Sequence, residues 1–310
     1  MHTITPDENS LHGYFSRDLA PILTINSGES VRFSTIDANW LSYDDDRAEF
    51  IAHPAMANDP LKGHALCGPV AIEGAKAGMV LEIRVDHLEV AEKGWNRGGG
   101  GDWDFWVKLG VGEPPARNIT WALDKANNVA TGDYGLSVAL SPFMGVMGMP
   151  TNEAGQLSTT PPRITGGNMD CKLLTVGSRL FLPIAVDGGL FSVGDGHAVQ
   201  GDGEVSGTAI ECCMDRVDLT FTLHPEMHLT TPRAYTPEGW ITLGFDEDLD
   251  EATMIALNAM LDLLIEEYGI TRKEALSLAS VAVDMHITQI VNGVKGVHAR
   301  LPHDAVIHTT

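Results

Sequence analysis

The chain has 310 residues, 44% of them hydrophobic, four cysteines and a formal net charge of −22 at pH 7. This acidity disfavours nucleic acid and anionic membranes as partners, no apolar run approaches the ~18 residues of a transmembrane helix, and four cysteines do not make a disulfide framework. Because the start, MHTITPDENS, lacks the basic and apolar regions of a signal peptide, we expect a cytoplasmic protein with a large core.

The N-terminal half is predicted to be mainly β. Apolar or alternating residues at 30–36 and 80–88 indicate strands, with turns at 26–29 and 77–78. Residues 91–160 are rich in loops, and the glycine run 98–101 leads into an aromatic segment that ends at Trp106. This segment fits a mobile lid or a surface loop equally well. We divide the chain into a mainly β region, 1–160, and a second region, 161–310, which are closely joined or form one domain.

Acidic residues and one histidine are concentrated among glycines in the middle of the chain. The segments read GGNMDCK, from residue 166, and SVGDGHAVQGDGEVSGTAIE, from residue 192. Carboxylates and an imidazole separated by residues that permit sharp turns are what a metal-centred hydrolytic site requires. A glycine-rich hairpin with solvated acids and a surface histidine explains the same pattern. The residues concerned are Asp170, Asp195, His197, Asp202, Glu204 and Glu211.

Local geometry favours the site. Residues 180–193 are apolar and predict two strands that meet at the turn 187–189. If the second strand continues, Asp195 and His197 share one face, because strand side chains alternate. The intervening glycines then allow a close neighbour on the other face. Glu204 is predicted to begin a return strand that lies opposite these two residues.

Two helices are predicted near the C-terminus. Apolar residues recur at helical spacing over 250–268, and this helix is expected to end at Gly269. Thr271 and Glu274 make a capping box that begins a second helix, predicted to run to about Asn292. On that helix His286 has apolar neighbours, which indicates a buried histidine more than a ligand.

Two further residues are candidates for a role at the site. Cys171 lies beside Lys172, and a thiolate attacks an amide when a base or a cation lowers its pKa. A free cysteine is more often a small buried hydrophobe. His64, in the loop sequence GHALCGP, is either a site residue or an ordinary hydrogen-bonded histidine.

The central segments GGNMDCK and LFSVGDGHAVQGDGEVSGTAIE resemble the signature of the acetamidase/formamidase family. Two flanking segments, GHALCGPVAIEGAKAGMVLEI and QIVNGVKGVHARLP, resemble the family's N-terminal block and closing strand. The chain departs from the block at Cys67, where threonine is expected, and at Met79, where an acidic residue is frequent. The resemblance implies a mainly β fold with sandwich and barrel-like parts, and a smaller α/β part with the two C-terminal helices.

The resemblance also implies a metal-dependent, homo-oligomeric enzyme that hydrolyses a short amide, formamide or acetamide, to a carboxylate and ammonia, without an organic cofactor. Amide chemistry suggests that a metal activates water and polarises the carbonyl, that Glu204 transfers the proton, and that Asn168 donates to the amide oxygen or steadies a ligand. The predicted site residues are Asp170, Asp195, His197 and Glu211 for the metal and Glu204 and Asn168 for catalysis.

The ligand types leave the metal and the reaction open. Two carboxylates and one imidazole fit zinc or another first-row metal, which we favour, whereas a carboxylate-only subset fits calcium. One alternative is a hydrolase of a different C–N bond, in a carbamate, hydrazide or cyclic amide. The other is a non-catalytic β protein in which the metal serves folding alone.

Overall fold

The structure, a computed structural model, describes residues 1–44, 47, 49–58 and 63–307. Its helices are α1 (Asp104–Lys108), α2 (Leu249–Tyr268) and α3 (Arg272–Ala282), with one 3-10 helix at Pro54–Asn58. Its strands are β1 (His2–Ile4), β2 (Leu11–His12), β3 (Tyr14–Phe15), β4 (Leu23–Ile25), β5 (Ser30–Thr35), β6 (Leu41–Asp44), β7 (Glu49–Ala52), β8 (Leu66–Ile72), β9 (Val80–Gly98), β10 (Arg117–Asp124), β11 (Val129–Gly132), β12 (Ser137–Ala139), β13 (Phe143–Gly148), β14 (Leu157–Ser158), β15 (Gly166–Asn168), β16 (Arg179–Pro183), β17 (Phe191–His197), β18 (Glu211–His224), β19 (Arg233–Thr236), β20 (Gly239–Asp246), β21 (Asp284–Gln289) and β22 (Lys295–Leu301).

Within these described residues, eighteen strands hydrogen-bond into one extended sheet, and β3–β14 and β6–β7 form two separate pairs. The predicted mainly β fold with two C-terminal helices is confirmed. The strand predicted at 30–36 is β5, where Val31 and Phe33 are buried and Arg32 faces outward, as alternation requires. Strands of the two predicted regions pair with each other, β8 with β17 and both β5 and β9 with β18. We therefore propose that the regions fold as one unit.

Helix α2 follows its prediction closely. The Asp248 side chain accepts hydrogen bonds from two backbone N–H groups of the first turn, and Gly269 ends the helix in the left-handed conformation, with φ 64°. The buried face of α2 packs with α3 and β22 in a second, smaller core that includes Met260, Leu264 and Val297. Of the helices that the structure describes, none combines the length and the apolar character needed to cross a membrane.

The second predicted helix is too long. The capping box of Thr271 and Glu274 is present, but α3 ends at Ala282. The next residues form β21, which pairs along its length with β22. Sheet pairing outweighs local helical spacing here, and Ile287 and Thr288 are β-branched residues that suit a strand. His286 therefore lies on a strand, half-buried, and the prediction that placed it inside a helix is wrong.

The hairpin predicted within 180–193 is also wrong, although both strands exist. β16 pairs with β9 and β19, whereas β17 pairs with β8, β13 and β18. Every residue of β17 is buried, so this strand needs neighbours on both edges, and they come from distant parts of the chain. This central position places the end of β17 deep in the protein.

A nearly buried ion pair between neighbouring strands offers a test of the fold. Asp218 accepts hydrogen bonds from Arg32, at 2.7 and 3.0 Å, and from Arg216. These arginines, Arg32 first, hold the pKa of the Asp218 carboxyl well below its usual value. We expect Asp218→Asn to lower the free energy of unfolding by about 1–2 kcal/mol at pH 7, since both guanidinium groups keep some contact with water.

The pH dependence of this loss has a defined sign. A carboxyl whose pKa is depressed by folding stabilises the protein above its unfolded pKa of about 4, and the contribution is lost as pH falls toward the folded pKa. Urea unfolding of both proteins should therefore show a gap that is constant above about pH 5 and narrows below about pH 4. Asp215→Asn, at an exposed pair with Lys125, is the control and should show a much smaller change. Equal stability of the two proteins at pH 7 would contradict this assignment.

Candidate active site

The central strands bring the predicted acids together around one histidine. His197 ends β17 and lies opposite Glu211, the first residue of β18. On the other side it lies opposite Phe143 of β13, whose ring meets the imidazole edge to face at 4.9 Å. Asp195 precedes His197 by two residues and shares its face, as predicted. The sheet therefore places two acids, Asp195 and Glu211, beside the same imidazole nitrogen, Nε2.

Short distances define what we call the carboxyl cluster. His197 Nε2 lies 3.1 Å from Asp195 Oδ1 and 3.3 Å from Glu211 Oε2. Oxygen and nitrogen atoms able to bind a metal lie within 4.8 Å of one another in two groups that share the imidazole. The first group is Asp170, Asp195 and His197, and the second is His197, Glu204 and Glu211. All five residues are buried.

Backbone strain is concentrated at the same place. Asp170, Asp195 and Glu204 have φ angles of 48°, 59° and 47°, in the left-handed region that favours glycine. Each such residue costs of order 1–3 kcal/mol and persists only where the surrounding structure holds it. Three strained acids that meet at one histidine are typical of a functional site.

Gly145 on β13 leaves the cluster its space. A Cβ atom at this position would overlap Asp195 Oδ2 and would lie 2.7 Å from Asp170 Oδ1 and 2.8 Å from His197 Cε1. Real Cβ atoms do not approach side chains so closely, so only glycine fits here without displacing the acids. The cluster is thus a cradle closed on one side by bare backbone.

Burial and mutual repulsion make three of the acids weak. Burial, reinforced by the charge of Asp195, raises the pKa of Asp170 to about 7. Burial also raises the pKa of Glu211 to about 8, even though His197 acts in the opposite direction. For Glu204, burial and the neighbouring Asp170 raise the pKa well above its usual value. Asp170 and Glu211 therefore titrate near neutral pH, and Glu204 holds its proton more tightly than an exposed glutamic acid does.

Asp195 and His197 behave as an ion pair instead. Burial acts against both charges, but the imidazole holds the pKa of Asp195 below its usual value, and Asp195 and Glu211 raise that of His197 well above 6.5. Several polar atoms of the cluster nevertheless have no hydrogen-bond partner among the described residues, namely Asp170 Oδ1, His197 Nδ1 and Glu211 Oε2. One imidazolium does not satisfy this many carboxyl oxygens.

Glu204 reaches the cluster from a turn and not from the predicted strand. Its backbone N–H donates to the Gly201 carbonyl, and the return strand begins only at Glu211. The loop is held by backbone hydrogen bonds between Gly203 and β21, at 3.0 Å to the Thr288 carbonyl. Because β21 lies far along the chain, local alternation of residues cannot reveal these hydrogen bonds, and it predicts a strand where the structure has a turn. Asp202, in the same loop, lies beside Lys172 and His286 and is not part of the carboxyl cluster.

The contacts of Asn168 and His64 connect them to each other. Asn168 Nδ2 donates to the Thr160 carbonyl at 3.1 Å, while its Oδ1 is buried without a partner among the described residues. The neighbouring Thr159 hydroxyl lies 2.8 Å from both the backbone nitrogen and Nδ1 of His64. Burial lowers the pKa of His64. The nearby charge of Asp195 raises this pKa and that of His197 lowers it. His64 therefore borders the cluster.

Two residues that the sequence did not single out support Asp170. Asn292 Nδ2 donates to Asp170 Oδ2 at 2.6 Å, and Gln200 Nε2 donates to the Asp170 carbonyl at 2.8 Å. Asn292 lies in the connection between β21 and β22, far from Asp170 in sequence. The carboxyl is thus held by its backbone and its side chain at once.

Cys171 does not have the properties of a nucleophile. It is fully buried, and burial raises the pKa of its thiol to about 12. A thiol of this kind is protonated at neutral pH and packs as a small apolar residue in the main core. The nucleophile alternative for Cys171 is therefore not supported by its surroundings.

A cavity reaches the cluster on the side of Glu204. It has a volume of about 410 Å³, and Gln200, Glu204 and Trp121 are part of its lining. A neighbouring cavity of about 510 Å³ shares Ser206 and Thr208 with it and is lined by Trp106, from the glycine-rich segment. A larger cavity of about 910 Å³ lies elsewhere and contains none of the cluster residues. A substrate in the cavity of about 410 Å³ would meet Glu204 before the other residues of the cluster.

Comparisons with known proteins show what the whole chain is similar to. The formamidase of Methylophilus methylotrophus is 29% identical over 253 residues, which cover 64% of this chain and 60% of that protein. The chain therefore spans less than two thirds of that relative. The crystal structure of an acetamidase from Bacillus halodurans has a TM-score of 0.82 at 26% identity and 97% coverage of both chains. The gamma lactamase from Delftia acidovorans shares the fold, with a TM-score of 0.63 at 22% identity, covering 99% of this chain and 94% of that chain.

A family model accounts for almost the whole chain. The model described as the acetamidase/formamidase family matches residues 2–154 and 149–306. The second matched segment contains the entire carboxyl cluster. This chain belongs to the acetamidase/formamidase family.

Proposed function

We propose that this chain is a metal-dependent amidohydrolase that converts a short aliphatic amide, formamide or acetamide, into the carboxylate and ammonia. The carboxyl cluster carries the proposal, because it gathers four buried acids around one imidazole. Membership of the family and the names of its relatives, a formamidase and an acetamidase, support the choice of substrate.

The residues of the cluster fit a cation. Two carboxylates and an imidazole within 4.8 Å are a ligand set that first-row metals accept, and Gly145 leaves room between them. We assign Asp170, Asp195 and His197 to the metal, with Glu211 as a further ligand through Oε2. The cation would supply the positive charge that one imidazole lacks. We favour zinc over calcium because of the imidazole.

The chemistry divides between the metal and the protein. A divalent cation bound here would polarise the amide carbonyl and lower the pKa of water at the site toward ~7. Glu204, whose pKa burial raises above its usual value, takes the proton from the attacking water in its ionised form and delivers it to the departing nitrogen. Of the two roles predicted for Asn168, its contact with Thr160 favours support of the site. It steadies the segment that holds His64.

The direct test is the release of ammonia from a panel of substrates. We expect turnover of formamide or acetamide by the purified chain, less with propionamide and none with urea. No ammonia from any linear amide, from protein that contains bound metal, would overturn the proposal.

A cyclic amide is the second candidate substrate. The cavity beside Glu204 holds about 410 Å³, far more than an amide of three or four heavy atoms occupies, and the fold also occurs in a gamma lactamase. Of the two departures from the family block, Cys67 is buried in the main core and Met79 packs against it. Opening of a five-membered lactam, followed by chromatography of the amino acid formed, distinguishes this candidate from the first.

We also propose a cytoplasmic location and a homo-oligomeric state. The four cysteines are all unpaired thiols, which suits a reducing compartment. The oligomeric state rests on the family resemblance, and light scattering of the purified protein tests it.

A further inference from the structure

A second group of metal-binding residue types lies outside the carboxyl cluster. We name Asp202, His286 and His298 the Asp202 cluster. They come from the loop after β17, from β21 and from β22, and one ligand atom of each lies within 4.8 Å of the others. His286 and His298 are direct partners across β21 and β22. Their rings stack in parallel, with centroids 4.8 Å apart and an angle of 3° between the planes.

Two imidazole nitrogens of this cluster are buried without partners. His298 is fully buried, and its Nδ1 is paired with the Thr288 hydroxyl at 2.8 Å. His286 Nδ1 lies 3.2 Å from Asp202 Oδ2. The Nε2 atoms of both rings have no hydrogen-bond partner among the described residues. Buried polar atoms are nearly always satisfied, so a pair of such nitrogens beside a carboxylate points to a missing ligand.

Asp202 has a counterion that a metal would displace. Lys172 Nζ lies 3.1 Å from Asp202 Oδ2, and about a third of the lysine side chain is exposed. Because a partly exposed lysine is flexible, its ammonium group can move into solvent when another cation arrives. The two histidines have less freedom, since both lie on paired strands and His298 is also held by Thr288.

We propose that Asp202, His286 and His298 form a second metal site that takes a first-row divalent cation such as zinc. Two imidazoles and one carboxylate are a ligand set that zinc prefers. The ion ties the loop of Glu204 to the β21–β22 hairpin, which backbone hydrogen bonds of Gly203 already join. Its role is to fix the position of the loop that carries Glu204, two residues after Asp202.

Zinc binding to metal-free protein tests the site without reference to activity. Protein stripped by a chelator is titrated with zinc in competition with a chromophoric chelator. We expect His286→Gln to lose one zinc equivalent relative to the unaltered protein, whatever the carboxyl cluster binds. Loss of a ligand should weaken the site by at least ~100-fold, since loss of a supporting partner alone costs ~10–100-fold. Asp202→Asn should show the same loss.

Two further variants separate a metal site from a hydrogen-bonded network. Lys172→Gln should tighten zinc binding at this site by at least ~10-fold, because it removes a positive charge beside the cation. His224→Gln, at a partly buried pair with Glu82, is the matched control and should keep the full zinc content. Thermal unfolding checks that each variant is folded. Unchanged zinc content and affinity in both His286→Gln and Asp202→Asn would overturn the proposal.

Discussion

Glu204→Gln is expected to abolish amide hydrolysis while the metal content of the protein stays unchanged. The amide side chain keeps the size of glutamate but cannot accept a proton from water and return it to nitrogen. General acid–base groups contribute ~10²–10⁴-fold to rate, so kcat should fall by that factor. Ammonia release and metal analysis on the same sample measure the two quantities.

The control for this substitution is an exposed glutamate. Glu226→Gln makes the same chemical change in a surface loop and should leave both quantities unaltered. If Glu204→Gln lost metal together with activity, Glu204 would be a ligand, and the proton would have to be moved by another group. Near-normal turnover with full metal content would contradict its catalytic role.

Gly145→Ala is expected to lower turnover by about 100-fold and to weaken metal binding, although it adds one methyl group. The new Cβ atom would fill the space between Asp170, Asp195 and His197. Displacements of about 1 Å at a reacting centre cost ~10²-fold in rate. Gly145 does not have a positive φ angle, so the effect would come from lost space and not from backbone strain.

Two controls accompany Gly145→Ala: a measurement of its stability and the same substitution at a second glycine. Overpacking a buried site costs ~1–3 kcal/mol, so the variant should remain folded, which thermal unfolding checks. Gly98→Ala is the control, because a Cβ atom there would lie 3.9 Å from the Arg117 carbonyl oxygen, an ordinary van der Waals distance. Gly145→Ala protein with full activity and full metal content would show that the cradle does not hold a ligand.

Local sequence patterns predicted those features that depend on neighbouring residues. Alternation placed Asp195 and His197 on one face, helical spacing of apolar residues placed α2, and the capping box placed the start of α3. The errors arose where pairing between distant segments decides the structure. Residues 284–289 form a strand because β22 lies beside them, and Glu204 lies in a turn because β21 holds its loop.

The support of the site was not predictable for the same reason. Asn292 and Asp170 are brought together by the sheet, and nothing near Asn292 in the sequence indicates a partner. Gly145 lies in an apolar segment that resembles any buried strand. Its importance follows only from the side chains that cross in front of it, which the sequence does not show.

The most direct test of a metal-dependent amidohydrolase is ammonia release from formamide and acetamide before and after removal of metal. The protein is treated with a chelator, its metal content is measured, and zinc, manganese or calcium is returned one at a time. We expect the rate to fall to background with the metal and to return with one of these ions. Undiminished ammonia release from protein shown to be free of metal would contradict the account.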